Sequence, residues 1–327
     1  MLRLVALGAV ALVALAIGSA GPAAPTGGTP LALVTAETLN QLLAVDLPSG
    51  RVVRRFRMPA DPENVEASGQ AAIVVSPRAG AVTLLSIVPL RVVKVLRGFG
   101  SPHIALIPPF STGELAYVTD DARGQLVVIQ LNRRRIIARV FVGRGAHHMT
   151  VSPDGTRLWV ALGERAERIA VVDLKRPARP RLVGYLDPHG LAHDVSFSPT
   201  GKVVWVTYDD RSRVGIFSAR TGKLLRTLPA GSPPQHVAFD QTSTARYAYV
   251  TSGNGGTLQV LALRTGKLVR TYRTPNGSFN LGIFGGVLLV PSLYRGTLTE
   301  LLIGAGRIVL SKRVAPAARD AAVAVLP

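Results

Sequence analysis

The chain has 327 residues, of which 47% are hydrophobic and none is cysteine. This length is sufficient for two average domains or one large all-β domain, and the absence of cysteine excludes both disulfides and a lipid-modified cysteine. Its 38 basic and 19 acidic residues give a formal net charge of +19, which favours anionic partners over cationic ones.

The first residues of the chain have the pattern of a secretory signal peptide. Arg3 supplies a short positive start, Leu4 to Ile17 form an apolar run, and Gly18-Ser19-Ala20 have the small residues of a cleavage site. The apolar run is shorter than the ~20 residues of a membrane-spanning helix, and an uncleaved N-terminal anchor is the alternative. We expect a signal peptide over residues 1–20, a flexible linker over 21–30, and a secreted or extracytoplasmic protein, in the periplasm or at the cell surface.

Residues 31–327 contain a repeat with a period of about 40–45 residues. Each copy has short runs in which apolar and polar residues alternate, separated by turn sequences such as SPDG and SPTG. Alternation with a period of two predicts strands rather than helices. Four-stranded units of this length are the blades of a β-propeller. The inner strands are expected to begin near residues 64, 103, 148, 194, 236 and 280.

The two ends of the chain supply the remaining blade. The N-terminal segment has three outer strands and no inner strand, whereas the C-terminal RDAAVAVLP (319–327) supplies one inner strand and no second strand. We therefore predict one all-β domain over residues 31–327. It is a seven-bladed β-propeller of four-stranded antiparallel blades, closed by pairing the N-terminal strands with the C-terminal strand.

Three of the repeats also carry a family resemblance. HMTVSPDGTRLWVAL (148–162), VSFSPTGKVVWVTY (195–208) and RYAYVTSGNGGTLQVLALRTGKLVRTY (246–272) resemble the repeats of YVTN-type seven-bladed propellers, a secreted bacterial and archaeal family similar to lactonase-type propellers. The resemblance covers residues 31–327, although SPDG is missing from blades 1, 2 and 7. It implies the fold and secretion, and it leaves the function open because the family hosts few defined activities.

All six histidines lie on connections that lead from an outermost strand to the next inner strand, and these connections converge on one mouth of the central channel. Superposition of the repeats places one residue per blade directly before the inner strand: Asn64, His103, His148, Asp194, His236, Asn280 and Asp320. The residues one step earlier are Glu63, Pro102, His147, His193, Gln235, Phe279 and Arg319. His189 lies on the same connection as His193. We predict a ligand site at this mouth formed by Glu63, Asn64, His103, His147, His148, His189, His193, Asp194, His236, Asn280, Arg319 and Asp320.

Imidazoles and carboxylates at a channel mouth allow more than one chemistry. One interpretation is a transition-metal site for Zn, Cu or Fe, with the ligands His103, His148, His193 and His236. Another is a small anionic or polyol ligand, with histidine as acid or base. A third needs no ligand, because Asn, Asp and His can cap backbone groups at the strand ends. We expect a binding or scaffold protein; the alternative is a lactonase-like hydrolase or metal-dependent enzyme that uses the same histidines with Asp194 or Asp320.

Acidic residues also occur in the loops TDDARG, GERAER and YDDRSR. They are Asp120, Asp121, Glu164, Glu167, Asp209 and Asp210. Because arginines neighbour them in each loop, we expect solvent-exposed ion pairs here rather than part of a site.

The basic residues follow the repeat. Of the 38, 25 lie on the last hairpin or the outermost strand of a blade. Charge on an exposed edge strand prevents pairing between molecules, and a belt of one sign also attracts polyanions. Edge protection is the favoured explanation of this belt; the alternative is a polyanion partner, for which a cell-envelope polymer is the expected candidate. We expect a monomeric protein. Specific nucleic-acid binding is not expected, because aromatic residues are not interleaved along the belt.

Overall fold

The computed structural model of the protein describes residues 28–108, 114–163, 167–231, 233–240, 245–304 and 306–327. Within these ranges the chain forms 28 β-strands and one short 3-10 helix, Glu37–Leu39. The predicted signal peptide and residues 21–27 of the predicted linker lie outside the described residues. No helix within the described ranges is long and apolar enough to cross a membrane.

The strands form seven antiparallel sheets of four strands, the blades of the predicted propeller. Blade 1 contains β28 (Ala321–Leu326), β1 (Thr29–Ala36), β2 (Gln41–Asp46) and β3 (Arg51–Arg57). Blade 2 contains β4 (Asn64–Ser68), β5 (Ala71–Ser76), β6 (Ala81–Ser86) and β7 (Arg91–Arg97). Blade 3 contains β8 (Pro102–Leu106), β9 (Leu115–Asp120), β10 (Gln125–Gln130) and β11 (Arg135–Phe141).

The other four blades repeat this order. Blade 4 contains β12 (Met149–Val151), β13 (Arg157–Ala161), β14 (Ile169–Asp173) and β15 (Arg181–Leu186). Blade 5 contains β16 (Ala192–Phe197), β17 (Val203–Tyr208), β18 (Arg213–Ser218) and β19 (Leu224–Pro229). Blade 6 contains β20 (Val237–Phe239), β21 (Tyr247–Ser252), β22 (Thr257–Ala262) and β23 (Leu268–Arg273). Blade 7 contains β24 (Gly282–Phe284), β25 (Val287–Pro291), β26 (Thr297–Leu302) and β27 (Arg307–Arg313).

The ring closes through blade 1, as the sequence predicts. β1 pairs antiparallel with β28, from Thr29 opposite Leu326 to Val34 opposite Ala321. The first strand begins at Thr29, two residues before the predicted start of the propeller. Inner strands of successive blades also contact one another around the ring. The predicted seven-bladed architecture and its closure are therefore confirmed.

The apolar core is divided among the interfaces between neighbouring blades. The buried residues form seven clusters, each shared by two adjacent blades. Trp159 of blade 4 packs edge-on against Phe197 of blade 5, with ring centroids 5.6 Å apart. Trp205 of blade 5 packs against Phe239 of blade 6 in the same way. Alternating side chains of the second and third strands thus face a neighbouring blade on each side.

Antiparallel pairing gives the propeller two different faces. The mouth face carries the connections into the inner strands, such as 142–148, and the loops between second and third strands, such as 121–124. The opposite face, here called the turn face, carries the hairpins between third and outermost strands: 47–50, 87–90, 131–134, 174–180, 219–223, 263–267 and 303–306. Because β1 is a second strand, it runs from the turn face to the mouth face, so Gly28 lies on the turn face.

A buried threonine at the end of the second strand links neighbouring blades. The Thr207 hydroxyl accepts a hydrogen bond from the Asp194 N–H of its own blade at 3.0 Å and donates to the Gln235 carbonyl of the next blade at 2.6 Å. The same link recurs at three other blades: Thr35 joins Asp320 to Glu63, Thr119 joins Ile104 to His147, and Thr251 joins His236 to Phe279. Each hydroxyl thereby fixes two strand entrances at once.

Replacing Thr207 with valine is expected to lower the free energy of unfolding by about 1–3 kcal/mol, because two buried backbone groups lose their partner. Denaturant-induced unfolding measures the change. Thr83→Val is the matched control, since the Thr83 hydroxyl is also buried and has no hydrogen-bond partner among the described residues. Thr83→Val should leave stability unchanged or raise it; equal losses for the two variants would contradict the linking role of Thr207.

Candidate functional site

The threonine links show which residues occupy equivalent positions at the blade entrances. The N–H groups that donate to the repeat threonines belong to Ile104, Asp194, His236 and Asp320. Ile104, rather than His103, is therefore the residue equivalent to Asp194 and His236. The sequence superposition was wrong by one residue in this blade.

Blades 3 and 5 also share a β-bulge at this point. Pro102 pairs with Asp120 and Ala105 with Val118, so that His103 and Ile104 together lie opposite the single residue Thr119. A bulge in blade 5 places His193 and Asp194 opposite Thr207 in the same way. His103 consequently belongs with His147 and His193 in an upper tier, and His148 and His236 form the tier below.

Three of the predicted site residues use their side chains to hold neighbouring blades together. The Asn64 side chain accepts the Ala105 N–H at 2.8 Å, and Asp194 accepts the Val237 N–H at 2.9 Å. Asp320 accepts the Val65 N–H at 3.0 Å and the Asn64 amide at 2.7 Å. In each case the donor N–H belongs to the inner strand of the next blade. These residues cap backbone groups, as the ligand-free interpretation expects.

The histidines behave differently, because five of them form one continuous cluster. The His103 and His147 rings stack, with centroids 3.6 Å apart and planes 15° apart. The His148 ring lies 4.3 Å from that of His236 and 4.7 Å from that of His193, at interplanar angles of 75° and 44°. Unlike the capping residues, the imidazoles thus contact mainly one another.

The cluster lines a cavity of about 270 Å³ on the mouth face. Nine of the twelve predicted residues line it: Glu63, Asn64, His103, His147, His148, His193, His236, Asn280 and Arg319. Sequence reasoning did not assign Phe279, Leu293 and Tyr294, which also line it and belong to loops without a polar signal. Asp194 and Asp320 line a second cavity of about 350 Å³ deeper in the channel.

His189 lies apart from the cluster. It is not among the residues that line the cavity, its side chain is 58% exposed, and its Nδ1 atom lies 3.3 Å from Asp187 of the same loop. Its position on the connection before β16 is as predicted, but the side chain is not brought to the channel.

Each clustered histidine has its Nδ1 atom facing a carboxylate. His193 Nδ1 forms a hydrogen bond of 2.9 Å with Asp209 Oδ2. The other four Nδ1–carboxylate separations are longer: His147 to Asp121 3.4 Å, His103 to Glu63 3.5 Å, His236 to Asp194 3.8 Å, and His148 to Asp194 3.9 Å. A carboxylate at Nδ1 orients the ring and leaves Nε2 available for a ligand.

Asp121 and Asp209 correct the expectation for the acidic loops. Of these acids, Asp210 pairs with Arg211 as predicted, whereas Asp121 and Asp209 face histidines. Asp120 is buried and accepts the N–H groups of Gly100 and Ser101. Asp121 and Asp209 both come two residues after the repeat threonine, so their shared position in the repeat was the available signal. Glu164 lies outside the described residues.

The pKa shifts of His103, His147, His148 and His236 keep these four imidazoles uncharged at neutral pH. Burial lowers the pKa of His103, His148 and His236 well below the usual value, and neighbouring imidazoles lower each pKa further. Burial also lowers the pKa of His147, which the contact with Asp121 partly offsets. Burial raises the pKa of Asp194 to about 6, so that this carboxylate is mostly ionised at pH 7. Neutral imidazole is the form that binds metal ions.

An acidic group forms one wall of the mouth. Glu37, Asp61 and Glu63 lie close together, and burial raises the pKa of Glu63 to about 7. Arg319 lies beside them, with its guanidinium 3.6 Å from Glu37 and 4.0 Å from Glu63. The arginine therefore offsets part of the negative charge on this wall.

Comparisons with known proteins support the fold only. No protein-family model matches the chain, and no curated protein does either, so membership of the YVTN-type family stays a prediction. A functionally unknown protein from Desulfotomaculum acetoxidans has a similar structure, with a TM-score of 0.77 and 14% identity over 90% of this chain and 98% of that chain. Apo AztD from Citrobacter koseri has a TM-score of 0.68 and 11% identity over 92% and 99%. Hydrazine synthase from Kuenenia stuttgartiensis has a TM-score of 0.62 and 17% identity over 75% and 79%.

Replacing Asp320 with alanine is expected to lower the free energy of unfolding by about 2–4 kcal/mol, because the Val65 N–H and the Asn64 amide lose their buried acceptor. His236→Asn changes the equivalent entrance residue of another blade and is expected to cost less, since its ring caps no backbone group among the described residues. Thermal and denaturant unfolding compare the two. A larger loss for His236→Asn would contradict this division between capping residues and the histidine cluster.

Proposed function

We propose that this protein is an extracytoplasmic β-propeller that binds a transition-metal ion at its channel mouth through His148, His193 and His236. The observation that carries the proposal is the convergence of these residues: one ring nitrogen from each lies within 4.8 Å of the nitrogens of the other two. All three donors are imidazoles, which suit Zn²⁺ and Cu²⁺. Non-haem Fe(II) sites commonly include a carboxylate ligand, so iron is the least favoured of the three predicted metals.

A second group of histidines fits a metal less well. His103, His147 and His148 also have nitrogens within 4.8 Å of one another. However, His103 and His147 are stacked in nearly parallel planes 3.6 Å apart. Because the lone pair of an imidazole nitrogen lies in the ring plane, two parallel rings cannot both point at one ion. Of the four predicted metal ligands, His103 is therefore left out of the proposed site.

The proposed triad requires only small movements to bind an ion. A tetrahedral ion with Zn–N bonds of ~2.0–2.1 Å needs donor nitrogens about 3.3 Å apart. The nitrogens already lie within 4.8 Å, and rotation of the three rings about their side-chain bonds can close the difference. The planes of the triad are 44–75° apart, which lets their lone pairs converge.

The surrounding carboxylates support the same site. Asp209 is hydrogen-bonded to His193 Nδ1, and Asp194 lies between the Nδ1 atoms of His148 and His236. Carboxylates in this position orient ligating histidines and raise their basicity. Their negative charge also compensates a divalent cation.

The proposal also covers the location of the protein and a second candidate function. The signal-peptide pattern of residues 1–20 supports an extracytoplasmic location. Three histidine ligands leave a fourth position open to water or a small molecule, as catalytic zinc sites do. A lactonase-like hydrolase or another metal-dependent enzyme using these histidines is therefore the second candidate.

Metal analysis of untagged protein tests the proposal. After incubation with Zn²⁺ or Cu²⁺ and removal of the excess, we expect about one ion per chain. His148→Gln, His193→Gln and His236→Gln should each lose this ion, because each removes one of three donors, whereas His189→Gln should retain it. The chain has no cysteine to compete as a ligand. No bound ion in the unchanged protein, or an ion retained by all three variants, would overturn the proposal.

Asp209→Asn tests the orienting carboxylate. An amide at this position weakens the hydrogen bond to His193, and we expect a loss of metal affinity of about 10–100-fold with an unchanged melting temperature of the metal-free protein. Asp210→Asn is the matched control, because Asp210 pairs with Arg211 instead. Competition with a chelator of known affinity gives both values. Equal affinities for the two variants would count against a metal at His193.

A further inference from the structure

The turn face carries a concentration of positive charge. Counted from the last residue of each third strand to the first of the outermost strand, the described residues of the seven hairpins include fourteen basic side chains. They are Arg51, Arg91, Arg133, Arg134, Arg135, Lys175, Arg176, Arg179, Arg181, Arg220, Lys223, Arg264, Lys267 and Arg307. All fourteen are exposed, and the same hairpins contain only the carboxylates Asp46 and Asp173, a net charge of +12. The turns between inner and second strands lie on the same face and add three basic and three acidic described residues, so the balance stays at +12.

The mouth face is nearly balanced in charge. Counted by the same rule, its described loops and connections contain ten acidic and twelve basic residues, a net charge of +2 without the histidines. The two faces of one molecule therefore differ strongly in charge, and the difference follows the axis of the channel.

Basic residues in the middle of the outermost strands have a different role. Several basic residues on the outermost strands brace the next blade: Arg54 donates to the Leu90 carbonyl, Arg226 to Thr265, Arg270 to Gly306 and Lys312 to Ser49. The fourteen residues of the turn face lie on hairpins or at their ends. Only Arg181 among them forms an ion pair within the described residues. Their charge is therefore available to a partner.

The arrangement of these charges fits a flat partner. The hairpins are spread around the ring, one from each blade, so the charges cover a broad surface rather than a groove. A planar anionic surface can meet all seven hairpins, whereas a linear polyanion reaches a few. Each Lys or Arg held near an anionic bilayer strengthens binding by about fivefold.

The entry of the chain points to the same side. Gly28, the first described residue, lies on the turn face, and the predicted apolar leader Leu4 to Ile17 precedes it by only ten residues, 18–27. A chain still held in a membrane by its leader would thus present the turn face to the lipid.

From the charge and the chain entry together, we infer that the turn face docks on an anionic lipid bilayer. The histidine mouth then points away from the membrane and stays open to solvent. This orientation does not depend on the identity of the ligand at the mouth.

Vesicle co-sedimentation of the full chain tests this inference. We expect binding to vesicles of phosphatidylcholine with 30% phosphatidylglycerol, loss of binding at high salt, and little binding to phosphatidylcholine alone. The variant Arg133→Ser/Arg135→Ser/Arg176→Ser should bind about 100-fold more weakly, at about fivefold per charge. Arg134 is left unchanged because its φ of 50° is left-handed.

A matched triple variant of the mouth face is the control. Arg78→Ser/Arg144→Ser/Arg295→Ser removes three exposed charges from that face and should bind anionic vesicles as the unchanged chain does. Equal weakening of both triple variants would overturn the inference, because net charge rather than the turn face would then decide binding. If the chain bound neutral vesicles as strongly as anionic ones, the apolar leader rather than the turn face would be responsible for membrane attachment. If the chain bound heparin but not anionic vesicles, the partner of the turn face would be a linear polyanion and not a lipid bilayer.

Discussion

The positions of the groups at the mouth depend first on a buried hydroxyl interaction that recurs in four of the seven blades. A repeat threonine such as Thr207 holds the entrance of its own inner strand and the entrance of the next blade, so that neighbouring blades are locked in register where the channel opens. Blade 4 is one of three blades without this threonine: Ala161 stands in its place, accepts the His147 N–H at its carbonyl and donates its own N–H to the His148 carbonyl. Thr119 of blade 3 still binds the His147 carbonyl, so the entrance of the adjacent histidines is held from one neighbouring blade only.

The same repeat that builds the ring also separates two kinds of charge. Second-to-third-strand loops place acids such as Asp121 and Asp209 beside the histidines, while third-to-fourth-strand hairpins place arginines at the other end of each blade. Because strands alternate in direction, a residue type fixed at one repeat position always reaches the same face. A repeat of about 40–45 residues therefore gives the whole propeller two faces of different charge, which a single blade would not have.

The sequence was sufficient for the fold because turn sequences and alternating apolar residues recur in most blades, and the two incomplete ends complement each other. It also located the histidine cluster, since all six histidines lie before inner strands. It misplaced His103 by one residue, because blade 3 has IPPFSTG in place of the SPDG or SPTG turn that aligns blades 4 and 5. It missed Asp121 and Asp209 as partners of His147 and His193, because those contacts join residues 26 and 16 positions apart in sequence, and nearby arginines suggested a local pair. The sequence could not separate the residues that cap backbone groups from those that line the cavity. That division depends on hydrogen bonds between neighbouring blades, such as the one from the Val237 N–H to Asp194.

The pairing of β1 with β28 has a consequence for how the protein is made. Blade 1 is built from the first and last strands of the propeller, so β1 has no inner neighbour until residues 321–326 have been synthesised. Six blades can assemble as the chain emerges, but the mouth stays incomplete until residues 319–326 have been made, because Asp320 must cap β4 and Arg319 must reach Glu63. Assembly of the histidine pocket and synthesis of the last propeller strand are therefore coupled in time.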